Sequence, residues 1–145
     1  MRRWRTAGPE DGSAALEFLV GSVLLLVPLV YLVLSLAALQ SAAFATEGAA
    51  RGAALLVARA GDDPASAGWV DQAIGTALAD FGVPSAGASV AVACRPEPGC
   101  DPDGEVTVTV RVDVPLPLLP DAVPAAVPVE GSATLPISRF RGEPE

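Results

Sequence analysis

Apolar and polar positions fall into three regimes along the chain. From Phe18 to Leu39 nearly every residue is apolar, and no charge lies between Glu17 and Glu47. At ~1.5 Å of rise per residue, a helix over this run crosses the ~30 Å hydrocarbon core of a bilayer. From Gln40 to Ala60 the chain is rich in alanine, with Glu47 and Arg51 at i,i+4 spacing, so the helix is expected to continue beyond the bilayer. Gly61 followed by Asp62-Asp63-Pro64 is a stop signal. One long helix over residues 13–61 is expected, with its membrane segment at about 18–39. Pro28 removes one backbone bond and should bend it.

Beyond residue 63 the pattern becomes that of a small domain. Asp63 to Ala67 is linker-like. Trp69, Val70, Ala73, Ile74, Ala77, Leu78 and Phe81 then recur at helical spacing until Gly82 and Pro84, which predicts an amphipathic helix over about 66–81. Trp69 and Phe81 share its apolar stripe and are read as core residues.

After Pro84 the period changes to two. Ala88 to Cys94 reads as a strand. Between Glu105 and Val114, Val106, Val108, Val110, Val112 and Val114 alternate with Thr107, Thr109, Arg111 and Asp113. Turn sequences at Pro96–Gly99 and Asp101–Gly104 join the two into a hairpin with one face buried, and the two helices are its expected cover. Prolines 115, 117, 120, 124 and 128 predict an extended crossing loop over 114–128. Val129 to Ile137 can add a third strand, at an edge because of Pro136. The tail from Arg139 is polar and expected to fray. The expected fold class is α+β: a long N-terminal transmembrane helix, then a small extracytoplasmic domain (62–145) with one amphipathic helix and a three-stranded, mainly antiparallel sheet.

Charge narrows the function classes. The net charge is -8 and the sequence pI about 4.4, which argues against a nucleic-acid partner. Every basic residue is Arg, with no His and no Lys. That removes Ser-His-Asp and Cys-His sites, Schiff-base lysines and His-based zinc sites. The carboxylates Asp62-Asp63 and Asp101/Asp103 stand beside Pro and Gly, as turn residues do. No enzyme activity, metal or cofactor is expected. Cys94 and Cys100 bracket the hairpin loop and are read as a structural disulfide in an oxidising compartment, ahead of a redox pair or two free thiols.

Arg2, Arg3 and Arg5 precede the apolar run, while charges beyond it are mixed in sign. The positive-inside rule places the N-terminus in the cytoplasm and the C-terminal domain outside. Three kinds of segment share these features. A cleaved secretory signal has a candidate small-residue site at Ala43-Phe44-Ala45, but the run is too long for its ~7–15-residue core. A plain signal anchor fits length and charge. A prepilin-type signal fits both and also accounts for the heptapeptide Gly12-Ser13-Ala14-Ala15-Leu16-Glu17-Phe18, in which a glycine precedes the first mature residue and a glutamate stands at the fifth. Cleavage after Gly12 would free the amine of Ser13, one helical turn from Glu17. A carboxylate at a membrane boundary is costly unless paired, and that amine, from the same or a neighbouring subunit, is a suitable partner. Gly48, Gly52 and the alanines around them form a small-xxx-small surface, for a second helix or for packing within the domain.

The Gly12–Phe18 heptapeptide, the long apolar run, the Ala-Thr-Glu-Gly-Ala-Ala-Arg-Gly-Ala stretch over 45–53 and the closing segment Ser132–Arg141 together resemble TadE-like proteins, minor pilins or pseudopilins of the tight-adherence (Flp) pilus system. The resemblance covers both ends of the chain. It implies a pilin-like subunit in the inner (cytoplasmic) membrane, with residues 1–12 as cytoplasmic leader. The implied partners are a prepilin peptidase, other pilin-like subunits, inner-membrane pilus assembly proteins and the lipid bilayer. By position, Gly12 would be the last leader residue, Ser13 the mature start and Glu17 the fifth-position glutamate. The sequence departs from the family pattern at Pro9-Glu10-Asp11, where a basic residue is more usual, and at Phe18, where processed Flp-type subunits often have Tyr. An uncleaved single-pass anchor whose acidic outer domain binds a partner is the alternative.

Overall fold

Alanine and leucine are the strongest helix formers, and the first part of the chain is built largely from them. In the computed structural model, which describes residues 10–60, 64–97, 99–117 and 125–139, they form one continuous helix α1, Glu10–Ala60. Most of the expected leader, the stop signal at Gly61–Asp63, part of the proline-rich loop and the end of the tail lie outside the described residues. At ~1.5 Å per residue α1 is about 77 Å long, and it continues through Pro28.

Helix α2, Pro64–Asp80, follows. It starts earlier than the linker-like composition of 63–67 predicts, because proline is well suited to the first turn of a helix, where its missing N–H has no partner to lose. The strands are β1, Ser89–Arg95, β2, Glu105–Pro115, and β3, Ala126–Pro136. They form an antiparallel sheet in the order β1-β2-β3. The β2–β3 pairing runs beyond the expected boundaries, with Asp113 opposite Pro128 and Pro115 opposite Ala126. Residues 115 and 126–128 are thus strand and not crossing loop. Pro128 is tolerated because β3 is an edge strand, where a missing donor can face away from the ladder.

The core lies between α1 and the sheet. Val106, Val108, Val110, Val112 and Val114 are all buried, as their alternation predicts. Above them α1 presents Ala42, Ala45, Thr46, Ala49, Ala50, Ala53, Ala54 and Val57, also buried. These positions recur every three or four residues and form one helix face, so small side chains let the helix sit close on β2 and β3. Gly131 of β3 is one point of direct backbone contact. A methyl group there would overlap the backbone of Thr46 and Glu47.

Helix α2 packs on α1 and has no backbone-level contact with any strand. Two expectations change as a result. With a single neighbour, α2 buries a narrow arc: Val70, Ile74 and Leu78 are buried, Ala73 and Ala77 half-buried. Trp69 falls on its flank, 63% exposed, and Phe81 lies in the turn just past its end, 48% exposed; neither is a core residue. The hairpin is covered by α1 over β2 only. Val90 and Val92 of β1 face the same side as Val110 and Val108, yet both are exposed because no helix reaches that edge.

Candidate functional site

The antiparallel register gives the domain two ends. Ser41 of α1 donates a hydrogen bond from its hydroxyl to the carbonyl oxygen of Phe81, at 2.9 Å. Ala38 and Ser41 also border a concavity shared with Pro84, Asp113 and Pro115. The end of α2, the start of the loop after it and the end of β2 therefore stand where α1 leaves its apolar run. The other end holds the C-terminus of β1, the start of β2 and the end of β3.

That far end carries the cysteine pair. Cys94 and Cys100 are bonded, with Cα atoms 5.0 Å apart. Cys94 is the last core-side residue of β1, opposite Val106, and Cys100 is buried. Backbone bonds tie the same loop to the end of β3: Asp103 N–H donates to the Ile137 carbonyl at 3.1 Å, and Ile137 N–H to the Gly104 carbonyl at 2.8 Å. A Cβ at Gly104 would press on the carbonyl oxygens of Arg95 and Asp101, which accounts for glycine there. Asp103 adopts a positive φ of 66°, a conformation aspartate tolerates better than most residues. Its carboxylate meets Arg139 at 3.4 Å, a pair exposed enough to contribute little. The disulfide thus closes a loop that backbone bonds also hold to the sheet.

The candidate processing site lies at the opposite extreme of the molecule. Gly12, Ser13 and Glu17 are all in α1, with Ser13 and Glu17 exposed one turn apart. Helix α1 begins at Glu10, so the Gly12–Ser13 peptide lies within helix and not at its start. Beyond Glu17 the apolar run is bare. Phe18, Leu24 and Leu25 are 77%, 71% and 70% exposed, and none of the most hydrophobic window, mean hydropathy 2.6, is buried among the described residues. It is one helix long and apolar enough to cross a membrane.

The small-residue surface divides in two. The alanines at 45, 49, 50, 53 and 54 pack on the sheet, whereas Gly48 is exposed and Gly52 half-buried. A Cβ at either glycine would meet nothing within 4 Å. Among the described residues no close approach requires glycine at 48 or 52.

Among the described residues no group of three or more His, Cys, Asp or Glu could hold a metal ion. No protein-family model, curated protein or solved structure matches this chain. What it does must be argued from its own residues.

Sequence reasoning missed Gly131 and Thr46. An isolated glycine inside a strand pattern is a known sign of close backbone approach, and Gly131 carried that signal. Thr46 gave none. It is fully buried in an alanine face, and its hydroxyl donates back to the carbonyls of Ala42 and Ala43, at 3.0 and 3.1 Å.

Proposed function

We propose that this chain is a membrane-anchored, pilin-like subunit of the TadE-like kind, which helps build a tight-adherence (type IV-related) pilus or export machine. Its N-terminus lies in the cytoplasm and its α+β domain outside, and it is processed after Gly12. The observation that carries this reading is the division of α1 into two halves. The first is apolar on every side and uncovered. The second is the central element of a folded domain. A helix that is hydrophobic all round needs either a protein core or lipid, and the first half of α1 has no core among the described residues.

The same division argues against a cleaved secretory signal. The candidate site Ala43-Phe44-Ala45 lies inside the domain, next to fully buried Ala42 and Thr46, where cleavage would cut the helix at its seat on β3. The prepilin reading removes only residues ahead of Ser13, which takes three residues from the start of α1 and leaves the apolar run and the domain half intact. The apolar face then holds the subunit in lipid before assembly and packs against sister helices after it. Gly48 and Gly52, which need no partner within the chain, are available for such close packing. Glu17 and the new amine of Ser13 are the charged pair at its base. The cysteine pair fits an oxidising compartment.

A second reading, an uncleaved single-pass anchor, draws on the continuation of α1 back to Glu10 across the Gly12–Ser13 peptide. The two separate on one substitution. Co-expressed with a prepilin peptidase, the wild-type chain shortens and Gly12→Ala does not. If both stay full length in the membrane fraction, the anchor reading holds and the pilin reading fails.

A further inference from the structure

We propose that the end of the domain nearest the apolar run rests on the lipid surface, so that the bilayer contacts the domain itself as well as the helix that crosses it. This rests on the membrane reading of α1 given above. The Ser41 hydroxyl holds the Phe81 carbonyl at 2.9 Å. Ser41 is two residues beyond Leu39, so along the helix Phe81 stands only ~3 Å past the end of the apolar run. The headgroup layer outside the hydrocarbon core is ~5–8 Å thick on each side. Phe81 is held inside that layer by the geometry of the chain.

The side chains at this level suit that position. Phe81 is 48% exposed and Phe44, one turn above Ser41, is 64% exposed. Beside Phe81 a concavity of about 290 Å³ is bordered by Ala38, Val83, Pro84 and Pro115. Apolar groups facing outward at the headgroup level are what an interfacial contact requires. The charges beside them, Asp80 and Asp113, are acidic, and among the described residues no basic residue borders the concavity. The contact is therefore apolar and not electrostatic, and a zwitterionic surface satisfies it. Because the phenylalanines stand to one side of α1, the contact sets the direction in which the helix tilts, an angle that the length of the apolar run leaves open.

The test uses the full chain, one copy per nanodisc, in phosphatidylcholine carrying bromines either near the headgroup end or deep in the acyl chains. Three proteins each report from one tryptophan. One retains Trp69 and carries Trp4→Phe. The others add Phe81→Trp or Tyr31→Trp to a Trp4→Phe, Trp69→Phe background. Trp69 borders a surface with Leu56, fifteen residues and so ~22 Å along α1 from Ser41, and its emission should be unchanged. The Phe81→Trp reporter should lose roughly half its emission to shallow bromines and less to deep ones, as a group 5–10 Å into the interface does. The Tyr31→Trp reporter should respond most to deep bromines. Adding anionic lipid should not increase the Phe81→Trp response. Phe44→Trp is a second reporter for the same contact should Phe81→Trp fold poorly. Quenching of Tyr31→Trp without quenching of Phe81→Trp or Phe44→Trp overturns the surface contact and leaves the membrane helix intact. No quenching at any position overturns both. Quenching of Trp69 also overturns the proposal, since the domain would then be lying flat on the lipid.

Discussion

Gly131 of β3 lies directly against the backbone of Thr46 in α1, so close that a side chain at 131 would overlap it. Both neighbours are buried elements of the same core, so neither a helix turn nor a strand can yield. Overpacking a core costs roughly 1–3 kcal/mol, and a clash with backbone belongs at the upper end of that range. Gly131→Ala should therefore lower unfolding stability by about 3 kcal/mol. Gly48→Ala, an exposed helical position with open space around it, should raise stability by up to ~1 kcal/mol through helix propensity. Chemical denaturation of the detergent-solubilised full chain, followed by circular dichroism, measures both. Equal effects at the two glycines would contradict the docking geometry.

The narrow buried face of α2 gives a second contrast. Leu78 is fully buried and Trp69 is 63% exposed. Leu78→Ala should cost about 2–4 kcal/mol, as large-to-small changes in a core do. Trp69→Ala should change stability by no more than ~0.5 kcal/mol. The same denaturation measurement decides it, and a large loss at Trp69 would return that residue to the core.

Much of this fold is legible in the residue pattern, and the failures over burial have a common cause. The strict alternation over Val106–Val114 is read correctly because β2 is the central strand and α1 covers one of its faces, so period and burial coincide. The alternation of Val90 and Val92 looks the same in sequence, yet these residues are exposed because β1 is an uncovered edge. Trp69 fails for the same reason on a helix: periodicity reports which face is apolar, but not how wide the covering neighbour is, while Phe81 falls past the end of α2. Strand ends are obscured by two prolines: Pro128 sits on edge strand β3, and Pro115 is the last residue of β2, where the ladder ends. For the candidate site, the Gly12–Glu17 spacing and the cysteines are visible in the sequence as motifs. That the glycines at 48 and 52 are separate from the alanine packing face is visible only in three dimensions.

The cysteine pair gives a third prediction. Closing the short loop between Cys94 and Cys100 restricts the unfolded chain, an effect of about 2 kcal/mol for a loop of this size. The Cys94→Ala, Cys100→Ala double variant should lose about that much stability and keep its fold, because the Asp103–Ile137 and Ile137–Gly104 backbone bonds still hold the loop to β3. Thiol titration of the unfolded, unreduced wild type should find no free thiol. A free thiol there, or an unfolded double variant, would contradict the bracing role.

The most direct test of the central claim is the N-terminal residue of the protein taken from the membranes of the cells that make it. Intact-mass and N-terminal peptide analysis of the detergent extract should find a chain that starts at Ser13, with Glu17 as its fifth residue. A membrane-bound chain that still carries the residues ahead of Gly12, in cells with an active prepilin peptidase, would contradict the account.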